Sequence, residues 1–423
     1  MSSSGSDRVR YRDIYRDPLS LRMWLAASLS FLGDFVGLGA LLLVAYERSG
    51  GRPLGPAAVF AVQALPAVAV ATAIGPWLDR IPRIGGLVVL CLIGAASLAF
   101  PLFIGGLWPV FATAAILGAT TTAFNSIRSG AIAQGVPRHV RGRLLALISL
   151  SLQVSEVIGY FAGSAAAIAI GARPALEADA ATFVLAAVLL AGARVPGRSA
   201  RSRLRPSLAT GIRTIFTDRT LAVLTPVAWI GLTVGALPAT LASAALTGAY
   251  RGWVPAAMAA AGAGLAISGT LAGQSRMPER VATQFWCIAA GGATFLLAGL
   301  LLTVNPILLV VGNLAIGAGM GWNVAAQTTF VLVIDPDRIA NVTSVMIASV
   351  IALGGLGALA FGAAATSLGV PAAYALAGAL QVAAGLAATG YARKHPQALD
   401  LVRPWQAEDT VEEQNDATEQ RGP

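Results

Sequence analysis

Gly75-Pro76-Trp77-Leu78-Asp79-Arg80-Ile81-Pro82-Arg83 puts one acid and two bases into its last five residues, between two long apolar runs with almost no charge. Flanks of that kind enter lipid, and the charges must stay at a water surface. The stretch therefore reads as a cytoplasmic turn between the second and third of a series of membrane helices. The rest of the chain has the same character. Its 423 residues are 56% hydrophobic and only 12% charged, with mean hydropathy +0.72. Soluble proteins carry about 25% charged residues.

Twelve apolar runs are visible, at 21–46, 54–78, 86–105, 107–134, 143–171, 173–193, 220–248, 253–275, 282–303, 306–334, 342–369 and 371–391. Each is long enough for a membrane helix, which needs ~20 residues. The expected fold is an all-α membrane protein with twelve transmembrane helices. The segment 1–20 is a polar cytoplasmic lead-in, 194–219 a basic linker, and 392–423 a polar, acidic tail expected to be disordered. Leu208, Ile212, Ile215 and Phe216 fall on one helical stripe in the linker, as in a short amphipathic helix on the inner leaflet; a solvated linker is the other reading.

With both termini placed in the cytoplasm, 24 Lys and Arg fall on that side against four (Arg48, Arg52, Arg173, Arg251) on the other, with Arg128 inside the fourth run. That asymmetry follows the positive-inside rule and accounts for the net charge of +9 without nucleic acid. A basic set with a single lysine, Lys394, suits a GC-rich bacterial genome, hence a bacterial plasma membrane. Cys91 and Cys287 lie in apolar runs, with no metal spacing and no disulfide framework. No phosphate-binding loop or nucleophile elbow occurs, and the close acid pair Asp335/Asp337 sits in a turn. Neither an enzyme nor a cofactor is expected.

A shift of 199 residues lays Ile116-Leu117-Gly118-Ala119 on Ala315-Ile316-Gly317-Ala318, Pro137 on Pro336 and Gly163 on Gly362. Two pseudo-symmetric six-helix halves, 21–193 and 220–391, are the expected layout.

Charged and amide groups inside the runs are the candidate site. Asp34 and Glu156 each lie 13 residues past a helix start, at ~20 Å of depth. An acid there is costly unless it is paired, protonated or facing a cavity. Gln153 shares a face with Glu156, and Asn125 and Arg128 share one on the fourth helix. Asp34, Glu156, Arg128, Asn125 and Gln153 are read as a polar cavity that takes up a proton or binds substrate. A buried ion pair of Arg128 with either acid is the structural alternative. Asn313, Asn323, Gln327 and Trp322 either line the opposite wall or make interhelical contacts.

Gly75-x-x-x-Asp79-Arg80-x-x-Arg83 resembles the loop signature of major facilitator superfamily transporters. Gly33-Asp34, Leu65-Pro66, Pro137 and Asp179-Ala180-Ala181-Thr182-Phe183 resemble its siderophore and macrolide exporter branch. Pro82 stands where that signature has glycine, and Ile84 where it has a basic residue. The counterpart loop, Gln274 to Arg280, is degenerate. The resemblance implies alternating access and proton-driven export of a small hydrophobic molecule by a monomer. It also implies a cytoplasmic gate at Gly75, Asp79, Arg80 and Arg83. The plain alternative for the loop is a topology signal without gating.

Overall fold

A computed structural model describes residues 12–71, 81–193, 208–274, 281–301, 305–323, 325–326, 329, 334 and 339–395. Gly75, Asp79, Arg80, Gln327, most of the linker and the acidic tail lie outside them.

Among the described residues the regular elements are all helices, joined by short turns. In chain order the helices are α1 (Arg12–Arg16), α2 (Pro18–Arg48), α3 (Leu54–Ala69), α4 (Arg83–Ser97), α5 (Ala99–Phe103), α6 (Trp108–Gly135), α7 (Arg138–Ala169) and α8 (Ala172–Ala191). They continue as α9 (Leu208–Thr217), α10 (Arg219–Thr233), α11 (Leu237–Ala245), α12 (Val254–Gln274), α13 (Val281–Leu301), α14 (Pro306–Gly319), α15 (Ile339–Leu368) and α16 (Val370–Lys394), with a 3-10 turn at Gly248–Trp253. Among the described residues, ten helical segments are long and apolar enough to cross a membrane. Two shorter apolar helices, α3 and α14, occupy the second and tenth runs.

Helix ends follow local chemistry. Asp17 caps α2, accepting a hydrogen bond from the Ser20 amide at 3.0 Å, with Pro18 opening the first turn. The third run is not one helix. Pro101 has no N–H to give the Ser97 carbonyl, and the chain breaks at Leu98 into α4 and α5. The freed Ser97 carbonyl instead accepts from the Thr113 hydroxyl of α6 at 2.7 Å, so no buried acceptor is stranded. The seventh run also breaks. Pro238 cannot bond the Val234 carbonyl, which turns to the Leu237 amide at 3.1 Å, and α10 gives way to α11.

Packing brings α2 onto α7 and α8, α3 onto α6, and α4 onto α6 and α8. In the later part α13 packs on α16, α12 on α14, and α15 against α10 and α16. The principal contacts between early and late helices are α3 with α15 and α7 with α12. Two junctions have nearly the same backbone. Gly171 (φ 91°, ψ 160°) starts α8 and Gly369 (φ 90°, ψ 158°) starts α16, 198 positions apart. Both angles lie where a side chain is strained.

The helix α9 forms where the stripe predicts one. Ile215 is buried against Leu221 and Leu224, whereas Ile212 and Phe216 remain exposed. Phe216 also sets an edge on Trp229 of α10.

Asn313 joins three helices. Its side-chain amide donates to the Ala257 carbonyl of α12 at 2.9 Å, and its carbonyl oxygen accepts from the Tyr374 hydroxyl of α16 at 3.2 Å. This is an interhelical clamp, not cavity lining, because both polar ends are already spent on buried partners. Tyr374→Phe is expected to lower stability by ~1–2 kcal/mol by orphaning that oxygen, read as a drop in midpoint in thermal unfolding in detergent.

Candidate functional site: a charged cavity between α2, α3, α6 and α7

A cavity of about 210 Å³ opens between these four helices. Phe31, Phe35 and Leu38 of α2 and Leu117 of α6 give it apolar walls. Asp34, Gln63, Thr121, Asn125 and Arg128 supply its polar groups. The helical period explains the set, since Thr121, Asn125 and Arg128 repeat at four and three residues along one face of α6.

Arg128 forms no ion pair within 4.0 Å among the described residues, so the Arg128–acid pair of the structural alternative is not present. Its guanidinium carbon instead lies 5.1 Å from the Phe31 ring centroid and 5.8 Å from that of Phe124. Its buried Nη1 has no hydrogen-bond partner, and neither has the buried Oδ1 of Asn125. A cation over two aromatic faces is held in orientation while its donors stay available.

The structure divides the predicted cavity set. Asp34, Asn125 and Arg128 share one cavity. Glu156 and Gln153 are not among its lining residues, although Leu152, one turn before Glu156, is. Glu156 lies instead at the contact of α7 with α12, where a methyl group on Gly262 would sit 3.4 Å from its Cγ. The register of α7 against α12 decides this, and no pattern within α7 encodes it.

The opposite-wall candidates also differ. Trp322 is buried, packed so closely on Gly231 that a methyl group there would lie 2.3 Å from its ring. Asn323 is half-buried and follows the break at Met320, its amide bonded to the Met320 carbonyl. Of the gate residues, Arg83 is described. Its Nε donates to Gln134 Oε1 at 3.0 Å, and its guanidinium lies over Gly130 at the end of α6.

One residue was legible only as part of a family marker. Asp179 of α8 is fully buried, and neither carboxylate oxygen has a hydrogen-bond partner. It lies against Gly33 and Gly37 of α2, where added methyl groups would come within 2.7 Å and 1.9 Å of its oxygens. The signal available in the sequence was an acid inside an apolar run, the same signal that singled out Asp34.

At the opposite end of the bundle from Arg83, Arg251 of the 3-10 turn pairs with Glu47 at the end of α2. The Leu54 amide of α3 donates to the Thr366 hydroxyl of α15 at 3.2 Å. Arg48 spans from α2 to the carbonyls of Pro101, Ile104 and Gly106.

A multi-pass helical membrane protein with unpaired polar groups around an internal cavity is built to hold a solute within the membrane, and the class it defines is a transporter, not an enzyme. The family model of the Major Facilitator Superfamily matches residues 23–358, and the chain belongs to that superfamily. No curated protein sequence matches the chain. Solved structures similar to it include the nucleoside transporter NupG (13% identity, TM-score 0.68, covering 88% of this chain and 98% of that one). A bacterial homolog of the human lysosomal transporter Spinster, inward-facing and unoccupied, is 16% identical, with TM-score 0.69, covering 90% and 98%. A D-xylose-proton symporter is 15% identical, with TM-score 0.66, covering 88% and 96%. At these identities the likeness is one of fold.

Proposed function

We propose that the protein is a proton-coupled exporter of a small hydrophobic or amphiphilic molecule, such as a drug, macrolide, siderophore or secondary metabolite, working by alternating access. The observation that carries the reading is the cavity that joins Asp34 and Arg128, unpaired with each other, inside aromatic and aliphatic walls. The walls suit an apolar body, and the free donors of Arg128 and the carboxyl of Asp34 suit its polar end and a proton. Glu156, at the α7–α12 contact, is a second candidate carboxyl. The export direction rests on the branch resemblance of Gly33-Asp34, Leu65-Pro66, Pro137 and Asp179 to Phe183.

In this reading the helices form twelve spans in two six-helix halves. The matched glycine junctions 198 positions apart support it, and so do the α3–α15 and α7–α12 contacts as the seam. The arginine asymmetry supports cytoplasmic termini in a bacterial plasma membrane. A monomer is the working unit. Gly75, Asp79, Arg80 and Arg83 form the cytoplasmic gate, and the docking of Arg83 on α6 gives one of its contacts.

The Glu47–Arg251 pair is then a latch on the outer side. Arg251→Gln is expected to raise the outward-open population severalfold, read as faster maleimide labelling of a single cysteine placed in the outer vestibule. Unchanged labelling would make the pair a surface contact, which is worth little in general.

The test is flux into inside-out vesicles with an acidified interior, using a panel of hydrophobic and amphiphilic compounds. Gradient-dependent accumulation that a protonophore abolishes is the expected result. Accumulation only under the reversed gradient would show proton symport, as in the D-xylose-proton symporter of similar fold. Flux that ignores the gradient would show a facilitator, and no flux would favour a membrane sensor.

A further inference from the structure

We propose that Asp179 and Asp34 form one proton-binding site across the α2–α8 contact, with Asp179 holding the proton and Asp34 connecting it to the cavity. The proposal deepens the proton-coupled reading and rests on it.

Asp179 has no exposed surface, and both its oxygens lack partners. A carboxylate in that condition is among the most costly groups a membrane protein can bury, and proton binding removes the cost. Gly33 and Gly37 make the room it occupies, since any side chain at Gly37 would collide with Oδ2. Asp34 directly follows Gly33 on α2 and lines the cavity, so the turn of α2 that receives Asp179 also carries the cavity's carboxyl group. The pair therefore links an occluded acid to a space open to solute.

Among the described residues, no side chain of the helices packed on α8 hydrogen-bonds either oxygen of Asp179. Away from their ends, those helices carry as ionisable groups Asp34 on α2, the Cys91 thiol on α4, and Glu156 and the Tyr160 hydroxyl on α7, with Glu156 at the α12 contact; none is a cation. Arg22 of α2 reaches Gly192 at the far end of α8. Arg48 and Arg83 lie at the ends of α2 and α4, and Arg138, Arg141 and Arg143 in the first turns of α7. On α8 itself Glu177 is exposed and paired with Arg173. Binding forms one O–H bond from a carboxylate oxygen and a proton and cancels one negative charge; no electron moves. Two neighbouring carboxylates away from water share a proton more readily than both ionise.

The experiment is a pH titration of the full-length protein in lipid, followed by infrared difference spectroscopy of the protonated-carboxyl C=O stretch, with the proton as the only ligand. Wild type is expected to show a titrating buried carboxyl band that D179N removes. D34N leaves Asp179 in place and is expected to move the midpoint of that band by ~1 pH unit or more. E177Q leaves it unmoved. A band that persists in D179N, or a midpoint unchanged in D34N, overturns the shared site. The D34N arm decides the matter if D179N fails to fold. Failure here leaves vesicle flux intact as evidence for export, whereas absent gradient dependence in vesicles would sink the coupling even with a titrating pair.

Discussion

Arg128→Ala is expected to reduce flux by ~100-fold while leaving the protein at least as stable as wild type. The two effects have opposite signs for one reason. Arg128 is half-buried, its Nη1 is buried with no hydrogen-bond partner and it has no ion pair among the described residues, and an unpaired buried charge costs folding energy. Its removal relieves that cost. The same unpaired donors are what the cavity offers a solute, and a hydrogen bond to a charged group contributes ~1.5–3 kcal/mol, or roughly 10–150-fold in binding. Arg128→Lys keeps the charge but loses the flat face that stacks on Phe31 and Phe124, so ~10-fold loss is expected. Flux normalised to protein amount, beside thermal unfolding of the purified variants, separates the two effects. Flux within twofold of wild type in Arg128→Ala would make the arginine a structural bystander.

Gly317→Val is expected to destabilise the fold by about 3 kcal/mol. A Cβ at Gly317 of α14 would lie 1.8 Å from the Ala261 carbonyl oxygen of α12 and 2.7 Å from its carbon. The contact is reciprocal, for a Cβ at Gly264 of α12 would lie 2.1 Å from the Leu314 carbonyl oxygen. The two helices meet backbone to backbone, so no flexible side chain can yield. Such crossings hold membrane helices together because lipid offers no hydrophobic drive between them. Gly142 of α7, with nothing within 4 Å, is the control. Gly142→Ala is expected to be neutral or to stabilise by ~0.5–1 kcal/mol through the unfolded chain. Unfolding midpoints in detergent check both; equal midpoints for Gly317→Val and wild type would mean that α12 and α14 separate without cost.

Much of the architecture could be read along the chain. Apolar length and the scarcity of charge are properties of single segments, and they located the helical runs and the class of protein. Spacing in the Gly75–Arg83 stretch pointed to the superfamily, and the family match over residues 23–358 agrees. Local chemistry alone could have marked the breaks at Pro101 and Pro238, because a missing N–H acts within one turn.

The candidate site was legible by residue type and not by partnership. Depth along a helix follows from counting residues, so Asp34, Glu156 and Arg128 stood out as unusual. Which of them meet depends on how each helix is rotated and set against its neighbours. That packing put Asp34 and Arg128 in one cavity, sent Glu156 to Gly262, and spent both ends of Asn313 on Ala257 and Tyr374. It also brought Asp179 against Gly33 and Gly37, two glycines 142 or more residues away in the chain. The sequence by itself determined that charges would be carried into the membrane and on which segments, because burial of apolar length is additive along the chain. Only the tertiary structure decided which charge lies beside which, because close contacts between helices depend on the shapes of two surfaces at once.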